Sequence, residues 1–232
     1  MISIAISTFE SNGEGGKLIE YNLDKILLQI YKNFEVVISD HSRNNLILDV
    51  INKDKYKSMN IKYIKNDSKY GNSSFNTNNA INNCSGDLIK ILFMDDYLYD
   101  ENSLTTINNI FSLEENKNKM WLANSYLHTN NYTNFFRRQV PTFKNHTIEL
   151  NKIGCPSGIT LRKDVKDRFD INLKWFMDTE YYIRLLRKYG SPIFLDEILV
   201  INYLHNNQVS NTQINKDLIK FEKNYIINKY NR

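Results

Sequence analysis

Over the first hundred residues the apolar positions switch repeatedly between two spacings. Ile2 to Ser7 is a short β-branched run that ends at Ser7-Thr8, which predicts a strand. Ile19, Leu23, Ile26, Leu27 and Ile30 then recur at the interval of one helical face. Phe34 to Ser39 is almost continuously apolar, as in a strand covered on both sides, and stops at Asp40-His41-Ser42. A weaker helix is expected over 43–52 and a third strand from Ile61 to Ile64. A polar helix follows over 73–84, closed by Gly86, and Leu88 to Phe93 forms the most apolar strand, ending at Asp95-Asp96.

Four such alternations predict an α/β fold: an open, mostly parallel sheet with helices on both faces. Ligands of such sheets bind outside the carboxyl ends of the strands, where Ser7-Thr8, Asp40 and Asp95-Asp96 all fall. Gly13, Gly15 and Gly16 lie several residues past the first strand, and no Gly-Lys-Ser/Thr follows them. This argues against dinucleotide enzymes and P-loop NTPases.

The second half is less regular. A helix is expected over 101–117, a strand over 119–128, and loops with short hairpins over 130–152. Pro156-Ser157-Gly158 opens a short strand, and Asp178 begins a helix with Tyr182, Leu185, Leu186 and Tyr189 on one face, ending at Gly190. An extended segment runs from Ile193 to Leu204, and Ile214, Leu218, Phe221 and Tyr225 mark a final amphipathic helix.

Composition narrows the classes. With 41% hydrophobic and 24% charged residues, the 232-residue chain has a globular composition, and +4 net charge is too small to indicate a nucleic-acid partner. Cys84 and Cys155 form neither a disulfide framework nor a zinc spacing, so reduced thiols in the cytoplasm are expected. No signal-peptide pattern opens the chain, and no apolar run reaches the roughly 20 residues of a membrane span.

Two carboxylates after a buried strand repel each other, and a divalent cation is one way to hold Asp95 and Asp96 ionised together. The alternative is a solvated turn in which Asp96 or Asp100 caps the next helix. Asp178, at a helix start, fits either a cap or a general base kept ionised by the positive helix end. His205 lies on a polar loop after an apolar strand. Asp40 could bind a nucleoside or cap a helix, and Asn78 could serve ligand or packing. Lys216, Lys220, Lys223, Lys229 and Arg232 suit a solvated face or contact with anionic lipid headgroups.

Taken in order, these segments resemble the family 2 glycosyltransferases of GT-A fold. Ile2-Ser-Ile-Ala-Ile-Ser-Thr-Phe9 looks like the opening strand, and Asn33 to Ser42 the second, whose terminal aspartates recognise the nucleoside. Asn78 to Asp87 is similar to the family's helix with its Asn. Leu92-Phe-Met-Asp-Asp96 stands in the place of the metal-binding motif, with Phe93 replacing its first carboxylate. Met177-Asp178 resembles the Glu-Asp motif, with Met177 replacing Glu, and Tyr203-Leu-His205 the late segment whose His can complete the metal shell.

The resemblance implies one GT-A domain over 1–232: a nucleotide-sugar half (1–100), an acceptor and catalytic half (101–210) and a C-terminal helix (211–232). It implies an inverting transfer from a nucleotide-diphosphate sugar donor to a saccharide or lipid-linked saccharide, in surface polysaccharide synthesis at the inner membrane face. Asp178 becomes the catalytic base. Ser7, Thr8, Glu10, Asp40, Asn78, Asp95 and Asp96 become donor-binding, and Asp95, Asp96 and His205 hold Mn2+ or Mg2+. Two rivals remain: a nucleotidylyltransferase, and a non-catalytic nucleotide-sugar-binding protein of the same fold.

Overall fold

The computed structural model describes residues 1–144 and 146–230, so Arg232 lies outside the described residues. The expected alternation forms the first half: β1 (Ile2–Thr8), α1 (Gly15–Leu27), β2 (Phe34–Asp40), α2 (Leu46–Ile51), β3 (Ile61–Lys65), α3 (Ser73–Asn82) and β4 (Leu88–Ile91). These strands lie in the order β3-β2-β1-β4, all parallel. Ile30 falls beyond the end of α1 and is exposed.

The second half extends the same sheet with mixed directions. It contains β5 (Tyr97–Leu98), α4 (Ser103–Ser112), β6 (Trp121–Thr129), β7 (Phe135–Gln139), β8 (Ile159–Arg162), α5 (Met177–Tyr189), β9 (Ile193–Tyr203), α6 (Val209–Thr212) and α7 (Lys216–Tyr230). β8 runs antiparallel between β4 and β6, and β9 pairs with β6 and β5. β6 and β7 make the hairpin. Pro156–Gly158 is a 3-10 turn leading into β8 rather than the strand start itself, because the proline cannot donate to a ladder.

Alternation along β1 divides the interior. Ile2, Ile4 and Ile6 pack with Ile19, Leu23 and Ile26 of α1, Ile47 of α2 and Leu104 and Ile107 of α4. Ala5 faces the other way, with Ala80 and Ile81 of α3 and Tyr181 and Leu185 of α5. Helices therefore cover both faces, as the apolar runs require.

α7 presents a different face from the one its apolar residues suggest. Phe221 is 61% exposed, whereas Glu222 and Ile226 are buried, with Ile219 and Tyr230 packed beside them. Lys229 turns inward to Asp170 (2.6 Å) and Glu180 (2.8 Å), and Lys223 pairs with Glu149. Of the expected lysine stripe, Lys216 and Lys220 lie exposed without these ties. No helix among the described residues is long and apolar enough to cross a membrane.

Candidate active site

Helix α3 explains how polar residues can be core here. Its side chain at Asn76 donates to the carbonyls of Thr8 and Ser39, each at 3.0 Å, and accepts from Ser39 Oγ at 2.6 Å. Thr77 Oγ1 donates to Ser7 Oγ at 3.0 Å. The carboxyl ends of β1 and β2 thus find buried partners in α3, and the strand ends are held open towards one cleft.

That cleft, of about 380 Å³, is lined by Ser7 and Thr8 from β1, Asp95 and Asp96 after β4, Asp178 of α5, and His205 after β9. Its volume falls in the range of small-molecule sites. Asp95 and His205 converge: Nε2 of the imidazole lies 3.1 Å from Asp95 Oδ2, with Gln208 Nε2 at 3.3 Å from the same oxygen. Asp96 is buried, and its Oδ1 accepts from Asn202 Nδ2 (2.8 Å) and from Tyr203 N (3.1 Å). Burial, with the neighbouring Asp95 charge, raises the Asp96 carboxyl well above the usual carboxylate range.

Asp178 is the second residue of α5, not its cap. Its Oδ1 accepts the N–H of Thr179 and its Oδ2 the amide of Asn151, both at 2.7 Å. Burial pushes its carboxyl up to about 6, against the opposing pull of those hydrogen bonds. Each oxygen retains a further lone pair, so the group can still accept a proton.

Three expected donor residues sit elsewhere. Asp40 is fully buried beneath the cleft, where its oxygens take Thr8 Oγ1, the Ser42 N–H and hydroxyl, and Tyr63 OH. The carboxylate organises the β1 and β2 ends and does not line the cleft. Asn78 points from the far side of α3 and pairs with both backbone groups of Phe169, at 2.8 and 2.9 Å, which makes it a packing residue. Glu10 lies at the rim, accepting from Tyr70 OH (2.6 Å) and Arg43 N (3.0 Å).

Other lining residues were not legible as such. His41 Nε2 donates to Ser68 O at 2.9 Å, with its ring stacked near Phe75, and burial pushes its pKa down. A neutral imidazole there donates to the carbonyl. Trp175 is 42% exposed on the cleft wall, three residues before Asp178. Asn151 could have been suspected from its position three residues before a glycine, since its Oδ1 closes an Asx turn on Ile153 and Gly154.

Asp95 Oδ2 and His205 Nε2, 3.1 Å apart beside the cleft, are the two groups that would hold a divalent ion here. Asp96, engaged with Asn202 and Tyr203, supports this pair from behind. No cluster of three or more His, Cys, Asp or Glu suited to a metal occurs among the described residues.

Residues 3–165 match the profile of Glycosyl transferase family 2. No curated protein matches the chain in sequence. Among solved structures, S. aureus TarS 1–349 in complex with UDP-GlcNAc is similar, with TM-score 0.70, 18% identity, and coverage of 94% of this chain and 63% of that one. Mannosyltransferase PcManGT from Pyrobaculum calidifontis, in complex with GDP-Man and Mn2+, has TM-score 0.65, 11% identity, and coverage of 88% and 57%. The likeness shows a shared GT-A fold, and the chain spans about three-fifths of these structures' length.

Proposed function

The chain belongs to Glycosyl transferase family 2, and we propose that it transfers a sugar, with inversion, from a nucleotide-diphosphate sugar to an acceptor hydroxyl. One observation carries the reading: the Asp95–His205 pair and the Asp178 carboxylate line the same cleft. In this proposal Ser7 and Thr8 border the donor, the base lies towards Phe9 and His41, and Asp40 and Asn78 shape the floor and packing rather than touching ligand.

Asp178 takes the proton of the acceptor hydroxyl as that oxygen bonds to the anomeric carbon. The bond from that carbon to the diphosphate breaks on the opposite side, and the leaving nucleotide keeps the electron pair. Asn151 and the Thr179 N–H hold the carboxylate still while it accepts the proton. A divalent cation on Asp95 and His205 would supply Lewis-acid neutralisation of the departing diphosphate. Trp175 offers an exposed indole face to the acceptor sugar.

The acceptor class proposed is a saccharide or lipid-linked saccharide of a surface polysaccharide, with Lys216 and Lys220 facing the inner membrane surface. S. aureus TarS was solved with UDP and UDP-GlcNAc, and PcManGT with GDP-Man and Mn2+, which makes these the first probes. A melting-temperature screen of UDP and GDP with and without Mn2+, followed by consumption of UDP-GlcNAc and GDP-mannose, tests the reading. Nucleotide binding without consumption of any donor would favour a binding protein instead.

A further inference from the structure

Two carboxylates meet the start of α5, one from α5 itself and one from the C-terminal helix α7. One is Asp178. The other is Glu222 of α7, which is 0% exposed. Its Oε1 accepts the backbone N–H of Lys174 at 2.6 Å, and its Oε2 accepts those of Trp175 and Phe176, each at 3.0 Å. Three successive N–H groups therefore converge on one buried anion, beside the positive end of a helix.

Phe176 stands at the cap position of α5 and has no side-chain oxygen to offer. Glu222 takes the three N–H groups just ahead of the helix, while the Thr179 N–H in its first turn is taken by Asp178. Asp178 turns to the cleft and to Asn151. The register of α7 is fixed independently, because Lys229 and Tyr230 both donate to Glu180, at 2.8 and 2.6 Å.

We propose that Glu222 is a positioning residue for the transfer: by holding the N–H groups of residues 174–176 it aims Trp175 and Asp178 into the cleft. This makes α7 part of the catalytic apparatus. The inference rests on Asp178 being the proton acceptor, as argued above.

The test compares Glu222→Gln and Glu222→Asp with the unaltered chain. Glutamine offers one acceptor oxygen and turns an N–H2 group towards backbone donors, whereas aspartate keeps the charge on a shorter arm. In Glu222→Gln the amides of 174–176 should exchange at least tenfold faster. Turnover of UDP-GlcNAc or GDP-mannose should fall at least tenfold, with the donor KM unchanged within twofold and partial recovery in Glu222→Asp. Unchanged turnover in a variant whose amides are released would overturn the proposal. So would a parallel loss of donor affinity and turnover, the mark of a merely structural residue. If Glu222→Gln does not fold, Glu222→Asp carries the same comparison, with a kcat loss at constant KM expected.

Absence of turnover in the unaltered chain would count against the donor reading alone. The positioning claim is then decided by acrylamide quenching of Trp175, since the other tryptophan, Trp121, is fully buried. Increased quenching in either Glu222 variant upholds the clamp, and quenching at the unaltered value overturns it.

Discussion

His205 Nε2 stands 3.1 Å from Asp95 Oδ2, although 110 residues separate them in the chain. β9 delivers the imidazole to the turn after β4, and Gln208 donates to the same carboxylate. If this pair binds a cation together with a nucleotide diphosphate, UDP or GDP near 100 times its dissociation constant should stabilise the chain by about 2.7 kcal/mol. For a chain of this size that is a rise of roughly 5–10 °C in melting temperature. Mn2+ should be required for most of it, and Asp95→Ala should remove the metal-dependent part. An equal shift in excess chelator would exclude the pair from cation binding.

Asp178→Asn tests the base directly. The amide keeps nearly the same shape but cannot accept the acceptor's proton, so turnover should fall by about 10²–10⁴-fold. Affinity for UDP with Mn2+, measured by calorimetry, should stay within about twofold. A variant retaining most of its turnover would remove Asp178 from the mechanism.

The same carboxyl sets a pH dependence. Burial raises it to about 6, so activity should climb as pH rises through that value and the base ionises. Asn151→Ala removes a hydrogen bond that favours the ionised form, and the acid limb of the rate profile should move to higher pH. Stability runs the other way. The folded state binds more protons than the unfolded one between the ordinary carboxylate range and 6, so this group's contribution is lost as pH rises through the window. At pH 8, Asp178→Asn should therefore melt no lower than the unaltered chain.

Asn78 gives a stability prediction without a binding effect. Its side chain satisfies both backbone groups of Phe169, in a buried place. Asn78→Ala should destabilise by about 1–3 kcal/mol, the usual effect of leaving buried polar groups unpaired. Urea unfolding measures this, and UDP affinity of the folded variant should be unchanged. A selective loss of affinity would return Asn78 to the donor site.

Periodicity made the β3-β2-β1-β4 core readable because β1, β2 and β4 are covered on both faces and leave a nearly continuous apolar record, while the half-exposed end strand β3 shows a weaker one. The strand-end residues Ser7, Thr8, Asp95 and Asp96 followed from that topology. What stayed hidden was direction within polar segments. Asn76 and Asn78 lie on one short helix, yet one faces the cleft and the other Phe169, and nothing in their spacing distinguishes the two. Likewise α7 buries Glu222 and exposes Phe221, because three backbone N–H groups from a distant loop draw the carboxylate inward. Such demands are set by partners far along the chain, beyond the reach of local hydrophobicity.

Two glycines with positive φ separate conformational strain from collision. Gly190 ends α5 at φ +74°, and a Cβ added there would meet nothing within 4 Å. Gly190→Ala should therefore lose only the backbone strain of its positive-φ extended conformation (ψ −171°), about 1–3 kcal/mol. Gly154 has φ +111°, and its added Cβ would lie 2.5 Å from Cε1 and 2.7 Å from the hydroxyl of the buried Tyr126. That ring cannot yield easily, since its hydroxyl also accepts the N–H of Cys155 at 3.0 Å. Overpacking of this kind adds about 1–3 kcal/mol, so Gly154→Ala should lose clearly more stability than Gly190→Ala in urea. The damage should also reach the chemistry. Gly154 O accepts from Asn151 Nδ2 at 2.9 Å, and that amide group also holds Asp178. Folded Gly154→Ala should accordingly turn over donor more slowly than Gly190→Ala, and equal rates and equal stabilities in the two variants would refute this account of the loop.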